Sequence, residues 1–269
     1  MNMVTYYQNW VSQLLEEYQF EYPWIPCTSI LCGIFTCRLV YNLSQLISGI
    51  CFKHYPTLPK MKQVEWDNRA ISTLHAIFIT ALSIYLAFWS DLFSDDLQRG
   101  PVLYRSSASS SFVLGVSVGY FLSDLAMIFW FYPALGGMEY VFHHLLSMGA
   151  LAYGMLTGLG QFYAYMVLLS ETTTPGINLR WYLDAVGMKK SKAYVFNGVA
   201  IFLTWLVARI LLFMYVFYHL YVHYDQIKQL PLFGYYLVLI APSVLGGLNL
   251  MWFSKITKGM IKTLATKMD

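Results

Sequence analysis

Two adjacent histidines, His143 and His144, lie in the apolar run Phe142-His143-His144-Leu145-Leu146. No charged residue follows them until Glu171, which opens a short polar stretch that ends at Arg180. Imidazole and carboxylate groups are the side chains that enzymes most often use to move protons. Because an ionisable group is costly in an apolar environment, this pattern indicates either a functional site or a contact that defines the fold.

A second group of polar residues precedes the histidines. Ser117, Tyr120 and Asp124 stand at positions i, i+3 and i+7, which places them on one face of a helix. Adjacent residues of a helix point about 100° apart, so at most one of the two histidines faces a given partner. We expect Asp124 to orient one imidazole, and we expect Ser147, one helical turn further on, to lie within reach of either.

The spacing of these residues does not favour a metal site. The histidines are not separated by three or four positions, and no HxxxH or HxxEH motif occurs. The four cysteines form no CxxC pair. We therefore expect no metal and no cofactor.

The composition predicts a membrane protein. Hydrophobic residues make up 58% and charged residues 12% of the 269 positions, whereas about 25% of the residues of a soluble domain are charged. No basic stripe interleaved with aromatic residues occurs, which excludes a nucleic-acid partner. We predict an all-α, polytopic fold with about seven spans of roughly 20 residues each.

Seven apolar segments match this expectation, and a more polar stretch, Met1–Tyr22, precedes them as a candidate interfacial helix. The predicted spans are Trp24–Phe52, Ala70–Ser90, Phe112–Tyr132, Tyr140–Gly158, Gln161–Arg180, Phe196–Tyr221 and Leu232–Phe253.

The distribution of basic residues predicts the orientation. With a lumenal N-terminus, twelve of the 17 Lys and Arg residues fall in cytosolic segments. Only Arg99, Arg105 and Lys228 fall in lumenal ones. The C-terminus is then cytosolic.

This orientation places polar groups of five spans at similar depths. His75, Asp124, the histidine pair, Glu171 and Asn249 lie about 5–13 Å from the cytosolic ends at 1.5 Å per residue. The agreement favours one polar pocket that opens toward the cytosol. The alternative, that these groups only join helices through hydrogen bonds, uses the same residue types and stays open.

Several segments resemble the TLC domain family, whose members are multi-span membrane proteins. The resemblance rests on Glu65–Ala76, on Gly119-Tyr120 with Asp124, on His143-His144, on Glu171–Trp181 and on Asn249–Lys258. It implies a domain at residues 62–263 with six spans. Residues 1–61 would then supply a lumenal segment, the first span and a cytosolic loop, and residues 264–269 a cytosolic tail.

The resemblance also implies candidate roles and a location in the endoplasmic reticulum membrane. Ceramide synthases are the enzymatic branch, and they use paired histidines to transfer an acyl group from acyl-CoA to a sphingoid base. The stretch that carries a further His-Asp pair in that branch is Ser170-Glu171-Thr172-Thr173-Thr174 here. Carried over, His143 or His144 would act as base or acyl acceptor. Together with the polar residues at the same depth, the catalytic candidates are His143, His144, Asp124 and Glu171, and the substrate-binding candidates are His75, Tyr120, Ser147, Ser170 and Asn249.

Three functions follow from this resemblance. The first is lipid homeostasis, in which the protein binds or handles an acyl lipid, and membrane lipid is the expected partner. The second is ceramide-synthase-like N-acyl transfer from acyl-CoA to a sphingoid base. The third is a receptor for membrane cargo. The sequence specifies neither the lipid nor the oligomeric state.

The predicted orientation is tested by glycosylation mapping. An acceptor site inserted near Asp95 should be modified, because that loop is expected to be lumenal, and one inserted near Lys190 should not. The reverse pattern of modification would contradict the predicted orientation and indicate the inverted one.

Overall fold

The computed structural model describes residues 24–94 and 101–265 of the chain. Within these ranges the backbone forms helices and no strand, which confirms the all-α fold class. The predicted interfacial helix at Met1–Tyr22, the loop residues Asp95 and Arg99, and the tail at 266–269 lie outside the described residues.

Ten α-helices follow one another in the described chain. They are α1 (Trp24–Cys51), α2 (Lys60–Ile84), α3 (Ala108–Trp130), α4 (Met138–Thr157), α5 (Gln161–Leu168), α6 (Thr174–Ala185), α7 (Lys192–Trp205), α8 (Leu212–Val222), α9 (Tyr224–Ile227) and α10 (Leu232–Ala265). A π-helical segment, Leu206–Leu211, joins α7 to α8 without a break, and a second, Tyr85–Trp89, extends α2.

Five helical segments are long and apolar enough to cross a membrane. They are Trp24–Cys51, Lys60–Trp89, Ala108–Trp130, Lys192–Val222 and Leu232–Lys262. These correspond to five of the seven predicted spans, and the protein is a polytopic, all-α membrane protein. The predicted fourth span is the 20-residue helix α4, which is not among the five because its polar residues, including the paired histidines, lower its hydropathy.

The predicted fifth span is not a continuous α-helix. It consists of α5, a 3₁₀ segment at Leu169–Thr173, and α6. The three threonines and Pro175-Gly176 that follow Glu171 predict a helix that is broken or ended in this stretch, and the structure interrupts the α-helix at Leu169–Thr173, just before Pro175. Pro175 lies in the first turn of α6, where its missing N–H would have no helical partner in any case. The irregular backbone coincides with Glu171.

The first helix packs tightly on α3 through glycine. A Cβ atom at Gly33 would lie 3.1 Å from Cα of Gly119, and one at Gly119 would lie 3.0 Å from Cα of Gly33. Small residues allow helix backbones to approach this closely in membranes.

Helix α1 and the segment that follows it also satisfy polar groups of α2. The hydroxyls of Ser44 and Tyr55 donate to the two carboxylate oxygens of Asp67, at 2.7 and 2.8 Å. The indole N–H of Trp66 donates to Ser48 at 2.9 Å. Asp67 is fully buried, so these bonds determine how α1 and α2 fit together.

The glycine contact predicts a matched pair of substitutions on α1. Gly33→Ala should lower the free energy of unfolding by about 1–3 kcal/mol, because a methyl group must push two backbones apart. Gly49→Ala should not destabilise the protein, since no atom lies within 4 Å of the added Cβ. Thermal melts in detergent measure both, and equal melts would contradict the close packing of α1 on α3.

Candidate functional site: a polar cavity within the helix bundle

Asp124 joins three helices. Its carboxylate oxygen Oδ2 lies 2.7 Å from Nε2 of His144 on α4. Its other oxygen, Oδ1, accepts a hydrogen bond of 2.9 Å from the side-chain amide of Asn68 on α2. Both His144 and Asp124 are buried. The structure therefore brings together the carboxylate and one of the two histidines, as the helical spacing predicts.

Both ring nitrogens of His144 are occupied. Nδ1 lies 2.8 Å from the backbone carbonyl oxygen of Tyr140, and because a carbonyl only accepts, Nδ1 carries the hydrogen. Nε2 then faces Asp124 and has no further direction available. His144 is thus held in one orientation by the wall of the site and cannot take a proton from a ligand without breaking a bond.

The ring of His143 meets that of His144 edge-on, with centroids 5.5 Å apart. The ring of His143 also contacts Trp252 of α10 edge-on, with centroids 5.6 Å apart. Its Nδ1 is buried and has no hydrogen-bond partner among the described residues. Of the two imidazoles, His143 is therefore the one with an uncommitted nitrogen.

A second cluster surrounds Glu171. Oε2 of Glu171 accepts a hydrogen bond of 2.7 Å from the hydroxyl of Thr174, and Oε1 lies 3.6 Å from Nη2 of Arg209. The guanidinium also donates to Oγ1 of Thr173 at 2.8 Å and to Oδ1 of Asn249 at 3.1 Å. Glu171 and Arg209 are only 8% and 5% exposed, so each neutralises the other where water is scarce.

The position of Arg209 corrects an expectation from the sequence. Counting residues along the sixth predicted span predicts that Arg209 lies much deeper in the membrane than the histidines. It also predicts that its partners are backbone carbonyls freed near Pro242 or Gly246-Gly247. The structure instead pairs it with Glu171, beside the histidines. The π-helical segment that carries Arg209 inserts an extra residue into the turn, which changes the direction of the side chain.

These groups surround a cavity of about 510 Å³, which we call the polar cavity. Five predicted site residues line it: Tyr120, Asp124, His143, His144 and Glu171. A narrower cleft of about 60 Å³, the apolar cleft, adjoins it and is lined by aliphatic and aromatic residues together with Ser147 and Ser170. Phe121, His143 and Glu171 line both spaces.

Two predicted substrate-binding residues, His75 and Asn249, do not line the polar cavity but pack behind residues that do. His75 stacks on Tyr120 with ring centroids 3.8 Å apart, and its Nε2 lies 3.2 Å from the hydroxyl of Ser117. Asn249 accepts from Arg209 and is 2% exposed. Neither lines the polar cavity, so the geometry makes them supports for Tyr120 and Arg209.

Sequence reasoning missed several polar and aromatic residues of the cavity wall, among them Asn68, Arg69, Arg180 and Trp252. Asn68 and Arg69 lie inside the segment Glu65–Ala76 that carries the family resemblance, so a signal was present but was not interpreted as a site. Arg180 and Trp252 also lie inside segments that carry the resemblance, Glu171–Trp181 and Asn249–Lys258. Charged and aromatic residues are common at the ends of membrane helices, so neither residue indicated a site by itself. Among the described residues, no cluster of three or more His, Cys, Asp or Glu side chains has the geometry to hold a metal ion.

The fold and the cavity define a class, that of polytopic membrane proteins with an ionisable site inside the helix bundle. The family model for the TLC domain matches residues 65–258. The chain belongs to the TLC domain family.

Several relatives share most of their length with this chain. It is 28% identical over 248 residues to TLC domain-containing protein 4 of Homo sapiens, covering 88% of this chain and 90% of the relative. It is 26% identical over 211 residues to TLC domain-containing protein 4-B of Xenopus laevis, covering 77% and 78%. With TLC domain-containing protein 4 C of Dictyostelium discoideum the identity is 28% over 179 residues, covering 64% and 63%. No solved structure matches the chain.

The buried ion pair between Glu171 and Arg209 predicts how single and double substitutions change the stability of the protein. Arg209→Leu should lower the free energy of unfolding by about 3–5 kcal/mol, because it leaves the carboxylate of Glu171 buried without its cation. Arg209→Leu combined with Glu171→Leu should recover most of this loss. Thermal melts in detergent provide the measurement, and Arg38→Leu is the matched control because Arg38 is an exposed arginine of α1. A melt of Arg209→Leu equal to wild type would refute the pairing.

Proposed function

We propose that the protein binds an acyl lipid, with the lipid headgroup in the polar cavity and the acyl chain leaving along the apolar cleft. One observation carries this proposal: a cavity with ionisable walls meets an apolar cleft at three shared residues, Phe121, His143 and Glu171. A ligand that fills both spaces must have a polar end and an apolar end. Membrane lipids have this shape, and they surround the protein.

The charges of the wall support a polar headgroup rather than a second apolar chain. Asp124, Glu171 and Arg209 are buried, paired and line the polar cavity. A carboxylate can accept a hydrogen bond from a hydroxyl or amine group, and a guanidinium can donate to a phosphate. Such a group replaces the water that these side chains would otherwise need. The cleft offers few such groups, so it favours the chain.

We further propose that the protein resides in the endoplasmic reticulum membrane, where it acts in lipid homeostasis. The excess of basic residues in the segments that contain Arg180 and Lys255 supports a cavity that opens toward the cytosol. Lys255 lines the cavity and is exposed, which is consistent with an opening beside it.

N-acyl transfer is a second candidate function, favoured by the uncommitted imidazole of His143. As base, His143 would take the proton of an amine while the amine nitrogen attacks the thioester carbonyl of an acyl-CoA. An amide bond would form, the carbon–sulfur bond would break, and the thiolate of CoA would leave and take up a proton. Asp124 and His144 would only hold the wall in place.

The two histidines predict opposite outcomes. His143→Ala should keep the wild-type melting temperature and lose the stabilisation produced by added lipid, because its ring faces the ligand space. His144→Ala should lower the free energy of unfolding by about 1–3 kcal/mol, since Asp124 loses a buried partner, yet it should retain a lipid response. Native mass spectrometry of co-purifying lipid gives an independent measurement. If His143→Ala retains the full lipid response, the proposed site is wrong.

Acyl transfer is tested separately with pure protein, labelled palmitoyl-CoA and sphingosine. A labelled amide should form with wild type and not with His143→Ala. His223→Ala is the matched control, because His223 lies at the end of α8 and lines none of the cavities described above. If the wild-type protein forms no amide, acyl transfer is refuted and lipid binding is unaffected.

A further inference from the structure

The polar cavity has more cations than its own carboxylates can neutralise. Four basic side chains line it: Arg69, Arg180, Arg209 and Lys255. Three carboxylates line it as well, and each already has a partner in the wall. Glu65 lies 2.9 Å from Arg69, Asp124 lies 2.7 Å from His144, and Glu171 lies 3.6 Å from Arg209.

Arg180 and Lys255 are the two cations that remain. Neither forms an ion pair with any carboxylate in the part of the chain that the structure describes. They come from different helices, α6 and α10, yet both line the polar cavity and also a neighbouring cavity of about 250 Å³. Two unpaired positive charges thus face a shared space.

The guanidinium of Arg180 is held in place. It stacks on the ring of Tyr194 with 3.9 Å to the centroid, and its Nη1 donates to the carbonyl of Tyr194 at 3.2 Å. Gly198 on α7 leaves space for the guanidinium of Arg180, since a Cβ atom at this position would collide with Nη1. An arginine oriented in this way presents its remaining N–H groups as a fork, a geometry that matches phosphate oxygens. Lys255 adds a mobile point charge.

We propose that Arg180 and Lys255 form a phosphate-binding site, so that the lipid bound in the polar cavity is one whose headgroup carries a phosphate. This inference rests on the proposed lipid-binding function and narrows it to an anionic ligand. The same chemistry recognises the phosphates of an acyl-CoA, and the experiment separates the two sources.

The test compares ligands with equal chains on the purified full-length protein. Dipalmitoyl phosphatidate should bind at least about tenfold more tightly than dipalmitoylglycerol, which lacks the phosphate, as measured by native mass spectrometry titration. Arg180→Gln and Lys255→Gln should each weaken phosphatidate binding, and the double variant should bind the two lipids equally. Binding of dipalmitoylglycerol should not change in any variant.

Two control variants, Lys258→Gln and Gly247→Ala, and one further test variant, Gly198→Ala, accompany these substitutions. Lys258→Gln removes an exposed lysine of the same helix that does not line the cavity, so it should leave phosphatidate binding unchanged. Gly198→Ala should weaken phosphatidate binding without removing any charge, because its methyl group displaces the guanidinium of Arg180. Gly247→Ala, which meets no atom within 4 Å, should have no effect.

The outcomes separate this inference from the proposed function. Equal binding of both lipids by wild type overturns the phosphate site while lipid binding stands. If neither lipid binds, the proposed function itself fails. Tighter binding of palmitoyl-CoA than of phosphatidate, lost in the same variants, supports the phosphate site and assigns the phosphate to a CoA thioester. Phosphatidate binding that is insensitive to both Arg180→Gln and Lys255→Gln overturns the assignment of these residues.

Discussion

The structure depends on the pairing of buried charges inside an apolar helix bundle. Glu171 and Arg209 are almost inaccessible to solvent, and an unpaired charge at such a place would cost several kcal/mol. The two helical irregularities in this region occur where these residues lie. Glu171 is on the 3₁₀ segment Leu169–Thr173 and Arg209 on the π-helical segment Leu206–Leu211. Each irregular segment directs one charge toward the other, and backbone of this kind is tolerated at membrane depth where it borders a cavity.

The two adjacent histidines of α4 make different contacts and therefore have different roles. Because neighbouring side chains point about 100° apart, one ring is directed into the contact between α3 and α4 while the other is directed at α10. His144 uses both nitrogens to fix the wall, whereas His143 leaves one without a partner. A single histidine could not bridge Asp124 and also face a ligand, so the pair provides a rigid wall and a reactive group at once.

The sequence predicts features that depend on periodicity along one helix. Apolar segment lengths predict the helical class and five of the spans, and the spacing of Ser117, Tyr120 and Asp124 predicts a common face toward the histidines. Features that depend on register between helices are not predictable in this way. Arg209 appears far from the histidines when residues are counted along its own span, but packing and a π-helical turn bring it beside Glu171. Arg180 and Lys255 share a space for the same reason, although 75 positions separate them in the chain.

Asp67 accepts hydrogen bonds from hydroxyl groups of α1 and of the loop that follows it. These bonds affect whether the family domain can fold without the first helix. The stretch that relatives share as a domain, residues 65–258, contains Asp67 but not Ser44 or Tyr55, the two donors that satisfy its buried carboxylate. Transplanted alone, that stretch would leave the carboxylate of Asp67 without these two donors and would leave the glycine face of α3 without the helix that packs on it. The border of the recognised family segment is therefore not a border of folding. Recombination that moved this domain between proteins would have had to carry the first helix with it or rebuild these contacts on a new one.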